Sequence, residues 1–190
     1  MAEFFLELFS EEIPAGLQKN LREKLLEEFQ KFFLKKSINS KKSFSLSTPN
    51  RLIIVFEGLD KQIKMVSQEI KGPNVNAPEQ ALEGFMRSNK IEKKDLLKNK
   101  TEKGEFYFYK TESKLIKISD LLIEFVPKLL ENYQWKKSMK WGEYDLNWGR
   151  PLKSILSIFD KKVIDFKFHH ISSSNSTYID KDFEEKKKNF

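Results

Sequence analysis

Apolar positions along this chain change period several times, and each change marks an element. Phe4 to Phe9 is an apolar run interrupted by Glu7, which reads as a strand. Ser10-Glu11-Glu12-Ile13-Pro14 then turns the chain and opens a helix. Two carboxylates just before the first turn suit the positive helix end, and proline is tolerated there. Leu17, Leu21, Leu25, Phe29 and Phe32 follow at three- and four-residue spacing and form one apolar stripe, so the pattern predicts a helix over about residues 14–35. Beyond the polar loop Ser37–Lys42, Ser43 to Ser47 alternates with Phe44 and Leu46 on one side. Thr48-Pro49-Asn50 carries turn chemistry, and Arg51 to Phe56 is a β-branched apolar strand. Gln62 to Ile70 alternates again and is closed by Gly72-Pro73-Asn74. An antiparallel meander with the first helix on one face is the expected layer, giving an α+β fold class of antiparallel sheet layers with helices packed on one face.

The second half repeats the mixture. Pro78 opens a short helix to about Ser88, with Ala81, Leu82, Phe85 and Met86 inward, and Ile91 to Leu97 is expected to form another. Glu105 to Thr111 alternates Phe106 and Phe108 against Tyr107 and Tyr109, as a strand does. Ser119-Asp120 is a cap for a helix through Leu122, Phe125, Leu129 and Tyr133, with a kink or break expected near Phe125 because Pro127 lies inside the pattern. Leu152–Phe159, a turn at Asp160-Lys161-Lys162 and Val163–Phe168 predict a β-hairpin. After Ile171 the chain turns polar and is expected to fray. These elements suggest two small subdomains, 1–72 and 73–170, and a tail from 171 to 190. No Gly/Ser-rich linker marks a boundary.

Composition narrows the function classes. Of 190 residues, 39% are hydrophobic and 17 are Phe, enough to fill a core. The net charge of +7 favours polyanionic partners, nucleic acid before anionic membrane, although a lysine-rich surface gives the same excess. No cysteine is present, which removes disulfides, thiolate metal sites and a cysteine nucleophile, and fits a reducing cytoplasm. The two histidines, His169 and His170, are adjacent and read as a strand end or turn, so no metal site is expected. No stretch approaches the roughly 20 apolar residues of a membrane span, so no membrane partner is expected. The 7 glycines are scattered and form no phosphate loop. No residue constellation suggests a catalytic centre, and Glu11 and Glu12 read as helix-start carboxylates.

Four segments, in order, carry a resemblance. Phe5-Leu6-Glu7-Leu8-Phe9-Ser10-Glu11-Glu12-Ile13-Pro14-Ala15 is the first. Ser47-Thr48-Pro49-Asn50-Arg51-Leu52 is the second, with Asn50 where an arginine is usual. Lys71-Gly72-Pro73 with Ala81-Leu82-Glu83-Gly84-Phe85-Met86-Arg87 is the third. The last is Lys137-Ser138-Met139-Lys140-Trp141-Gly142 followed by Arg150-Pro151, with Lys140 where arginine is common. Together they resemble the N-terminal portion of the β subunit of the bacterial two-subunit glycyl-tRNA synthetase, over about residues 4–168. The resemblance implies a part of glycine–tRNA ligase that binds tRNA-Gly and docks the α subunit in an α2β2 assembly. ATP and Mg2+ are implied on the α subunit, with none on this chain. The family's β subunit is much longer, so the chain is expected to be a fragment or truncated product.

The candidate tRNA-binding residues are Arg51, Arg87, Lys137, Lys140, Trp141, Trp148 and Arg150. Arginine is scarce beside lysine here, and its planar fork grips phosphate at two points. Trp135, Trp141 and Trp148 interleave with Lys136, Lys137 and Lys140, and single-stranded RNA favours rings for bases beside cations for phosphates. Each arginine could equally cap a turn or pair with a glutamate. The tryptophans could equally anchor a loop or dock a protein. A stand-alone RNA-binding module and an RNA-free interaction scaffold are the alternative readings.

Overall fold

A computed structural model describes residues 1–65, 69–101, 104–111, 113–135, 137–141, 143–179 and 187–189. The expected α+β class is what it shows, with sheets that are mostly antiparallel. The strands are β1 (Ala2–Ser10), β2 (Lys42–Thr48), β3 (Arg51–Leu59), β4 (Gln62–Met65), β5 (Glu69–Asn74), β6 (Leu96–Thr101), β7 (Gly104–Lys110) and β8 (Lys114–Lys117). They continue with β9 (Leu152–Phe159), β10 (Lys162–Val163), β11 (Lys167–Phe168), β12 (Ile171–Ser174), β13 (Ser176–Tyr178) and β14 (Lys187–Asn189). The helices are α1 (Ala15–Lys35), α2 (Glu79–Asn89) and α3 (Ile118–Glu131).

The chain forms two compact units, Met1–Ile63 with Ile116–Phe190, and Lys64–Leu115 between them. The hydropathy pattern had suggested a division at residue 72. The units differ from that because β9 pairs antiparallel with β1, which joins the two ends of the chain in one sheet. No local pattern reports a pairing that remote.

In the larger unit the main sheet runs β11-β12-β9-β1-β3-β2, with β10 also paired to β9. Strand alternation sends Phe4, Leu6 and Leu8 of β1 to one face. There Phe29 of α1 meets Phe4 at 5.4 Å between ring centres and Phe56 of β3 at 6.0 Å. α3 joins the same face through Phe125, which stacks on Phe32 at 3.7 Å and stands edge-on to Phe29 at 5.2 Å. Leu21, Leu25, Phe29 and Phe33 are the buried positions of α1. The stripe thus drifts from Phe32 to Phe33, as expected when 3.6 residues per turn are sampled at whole residues.

Several local expectations are corrected. α3 runs unbroken through Pro127 and starts at Ile118, with no side-chain cap bond at Lys117. The carbonyl that Pro127 leaves without an amide belongs to Ile123, whose side chain is exposed, so the missing bond falls on the solvent side of the helix. Ile91–Leu97 is not a helix: a 3-10 turn at Lys93–Asp95 leads straight into β6, where Leu96 and Leu97 pair with β7. Gln62–Ile70 is not one strand but parts of two, because β4 pairs with β8 and β5 with β7. β5 continues past Gly72 and Pro73 to Asn74 with a shift in register, so proline marks a bulge there, not an end. The expected hairpin holds only for β9 and β10, joined by Asp160 and Lys161, both at positive φ as a type I′ turn requires. Beyond it β11 pairs with β12, which lies parallel to β9. Ile171 to Tyr178, read as a fraying tail, is therefore part of the sheet system.

In the smaller unit β5, β7 and β6 form an antiparallel sheet in that order. Leu82 is the buried residue of α2.

Candidate nucleic-acid interface

One end of the main sheet gathers three of the four resembling segments. The Ser10 amide donates to the Asn50 carbonyl at 2.9 Å, Glu11 N–H to the Pro151 carbonyl at 2.9 Å, and Ile13 N–H to the Pro49 carbonyl at 2.6 Å. The two prolines leave free carbonyls in turns, and the β1–α1 connection supplies the donors. The result is a platform of three laced loops. A cleft of about 590 Å³ opens on it, lined by Glu11, Glu12, Pro14, Arg150 and Pro151. Beside it runs a groove of about 270 Å³ with Ile13, Leu17, Trp135 and Met139 as its apolar lining and Lys137 and Arg150 among its walls. Glu11, read as a helix-start carboxylate, pairs instead with Lys153 of β9 at 2.8 Å. No side chain caps α1 at Pro14.

The candidate cations have different fates. Arg150 is half-buried and Lys137 exposed, and neither has a hydrogen bond or ion pair among the described residues. Lys140 lies 3.5 Å from Asp145, with both side chains open to water, so this pair contributes little. Arg87 is exposed in the last turn of α2, where a cation complements the helix dipole, and it belongs to the smaller unit.

Arg51 is engaged on all sides. The β1–β3 register sets it opposite Phe9, with Glu7 two residues along on the same face. Its Nε is 3.4 Å from Glu7 Oε2, its guanidinium lies 4.5 Å from the centre of the Phe9 ring, and it donates to the Tyr178 carbonyl. The Thr177 hydroxyl donates to the other Glu7 oxygen, and Tyr178 stacks on Phe9 at 5.3 Å. The arginine fork thus ties β3, β1 and β13 together and satisfies a carboxylate that is only 6% exposed.

The tryptophans divide likewise. Trp148 is 2% exposed and enclosed by Trp135 at 4.9 Å, Phe168 at 5.5 Å and Tyr133 at 5.9 Å. In this arrangement no face of its ring is open to a base. Its backbone exchanges both hydrogen bonds with Met139, at 2.8 and 3.1 Å, which fixes the Lys137–Lys140 strip over the aromatic cluster. The Tyr133 hydroxyl donates to the Leu21 carbonyl at 2.7 Å, and burial pushes its ionisation well above the ordinary range. Trp141 is half-buried 6.2 Å from His170, on which Tyr144 stacks at 3.6 Å with the rings 6° from parallel. Burial and the neighbouring His169 lower the His170 pKa, so the stacked imidazole is neutral at pH 7. Lys136, also singled out in the tryptophan segment, lies outside the described residues.

Sequence reasoning did not assign Trp135, Met139 and Ile13 to a common groove. Trp135 is half-buried, and its indole N–H is shut away from water without an acceptor. Gly149 was the available signal. A Cβ there would overlap the Trp135 ring, so the ring lies directly on the glycine backbone. A glycine between tryptophan and arginine reports such an approach. Among the described residues, no group of three His, Cys, Asp or Glu side chains is placed to hold a metal ion. No helix among them is long and apolar enough to cross a membrane.

Comparison with known proteins decides what this platform belongs to. The family model described as Glycyl-tRNA synthetase beta subunit matches residues 4–189. The chain belongs to the glycyl-tRNA synthetase β subunit family. Among its relatives, the glycine–tRNA ligase β subunit of Rickettsia felis is 37% identical over 178 residues, covering 94% of this chain and 27% of the relative. That of Rickettsia typhi is 38% identical and that of Rickettsia bellii 37%, with the same coverage. The chain spans about a quarter of the length of these relatives. The match extends the family likeness beyond residue 168 to β13 and β14, the polar stretch that sequence reading had set aside.

Proposed function

We propose that this chain supports the ATP-dependent attachment of glycine to tRNA-Gly, as the N-terminal part of a β subunit that holds the tRNA and docks the catalytic α subunit. The observation that carries the reading is the pair of unpartnered cations, Lys137 and Arg150, beside a tryptophan-rich strip on the platform where the family's segments meet. Cations with no internal partner are available to phosphate, and exposed Lys140 extends the same strip. The chain's net charge of +7 adds a long-range attraction for RNA. ATP and Mg2+ are assigned to the α subunit, the assembly to α2β2 and the location to the cytoplasm.

The test is tRNA-Gly binding across a salt series, with and without the α subunit, comparing wild type with a Lys140→Ala/Arg150→Ala double mutant. Binding that falls steeply with salt and weakens in the mutant is the expected result. Association with the α subunit without tRNA retention would make the segment a docking part and remove the RNA assignment.

A further inference from the structure

The groove beside Arg150 has more structure than a phosphate contact needs. Its apolar lining comes from Ile13, just before α1, from Leu17 in the first turn of α1, and from Trp135 and Met139. Ile13 is 2% exposed and its backbone N–H is held by a hydrogen bond to the Pro49 carbonyl. Trp135 is seated on Gly149 and braced edge-on by Tyr133 at 5.4 Å and Trp148 at 4.9 Å. Met139 is 42% exposed although its backbone is pinned to Trp148. A methionine fixed at its backbone and loose at its thioether is an adaptable wall for a flat ring. Lys137 and Arg150 stand at the same groove as cations with no hydrogen bond or ion pair among the described residues. Glu11, which lines the neighbouring cleft with Arg150, is engaged by Lys153.

We infer that this groove is a slot for one unstacked base of a single-stranded RNA segment, its flanking phosphates taken by Lys137 and Arg150. The inference rests on the tRNA-binding reading above and adds the place and the kind of nucleotide. An apolar opening with cationic walls matches the two halves of a nucleotide, the ring and the phosphate. A duplex offers no free base to such a slot, so the occupant is a loop or an end. The slot is tolerant of base identity, since ring contact and phosphate charge carry the recognition.

The test uses the full chain, with tRNA-Gly and a twelve-residue single-stranded RNA carrying one 4-thiouridine as probes. Met139→Glu places a carboxylate at the slot and leaves the backbone bridge to Trp148 in place. It should weaken binding of both probes at least tenfold without moving the thermal midpoint. Trp135→Phe keeps a ring but shrinks the wall of the slot, and should weaken binding about threefold. Photo-crosslinking should fall within residues 135–141, and a duplex of the same length should bind without that crosslink. Salt-dependent tRNA binding that ignores Met139→Glu, with crosslinks elsewhere, overturns the slot and leaves the phosphate surface standing. If wild type retains neither probe, the slot and the tRNA reading fall together. If Met139→Glu instead abolishes association with the α subunit and spares RNA, the groove is a protein-docking site and the slot is overturned.

Discussion

Arg51 and Arg150 begin alike. Each follows a turn at the same end of the main sheet, next to a proline-bearing loop, at or just before the start of a strand. In the folded chain their environments diverge. Arg51 is bonded to Glu7 and to the Tyr178 carbonyl and lies over Phe9, while Arg150 has no partner among the described residues and lines both the cleft and the groove. The difference is set by the neighbouring strand. β1 presents Glu7 and Phe9 to Arg51 because the antiparallel register aligns them, whereas Glu11, a carboxylate lining the same cleft as Arg150, is taken by Lys153. An arginine at a strand end therefore stays open to an outside ligand only when the adjacent strand supplies no carboxylate.

The largest expected effect breaks the engaged side of this comparison. Arg51→Ala leaves the Glu7 carboxylate buried beside Thr177 with its charge uncompensated, and should cost about 3 kcal/mol of stability, read as a lower urea midpoint. If Arg51→Ala were neutral for stability and harmful only to tRNA binding, the two arginines would be functionally equivalent after all. Gly149→Val comes next. A side chain there must displace the Trp135 ring, and overpacking of this kind costs roughly 1–3 kcal/mol while distorting the groove.

On the free side, Lys137→Ala/Arg150→Ala should leave stability within about 0.5 kcal/mol of wild type, because neither residue has a hydrogen bond or ion pair to lose among the described residues. It should weaken tRNA-Gly binding roughly tenfold, and reduce the slope of log affinity against log salt by about 1.5–2. The smallest effect concerns the aromatic edge of the strip. Burial and then His169 lower the His170 pKa in the folded chain, so the neutral ring favours folding above the ordinary imidazole value of 6.5, and that contribution is lost as pH falls through the folded value. A His170→Phe variant should keep its thermal midpoint through that acid window where wild type loses stability. Identical pH profiles would detach the stack from stability.

Much of this was legible in the residues themselves. The period of α1, the alternation of β1, β2 and β3, the turn after β9 and the four ordered family segments all follow from neighbours within a few positions, where side-chain spacing reports backbone geometry directly. Family membership needed only those segments. Tertiary structure alone decided the remainder. It joined β9 to β1 and made the chain's two ends one sheet, and it enclosed Trp148 while leaving Trp141 at the rim. It also kept α3 straight through Pro127, since the lost bond faces water. Above all, it engaged Arg51 and left Arg150 open. Burial and pairing are properties of residues far apart in sequence and adjacent in space. They depend on which strands meet and in what register, and no single stretch of the chain contains that information.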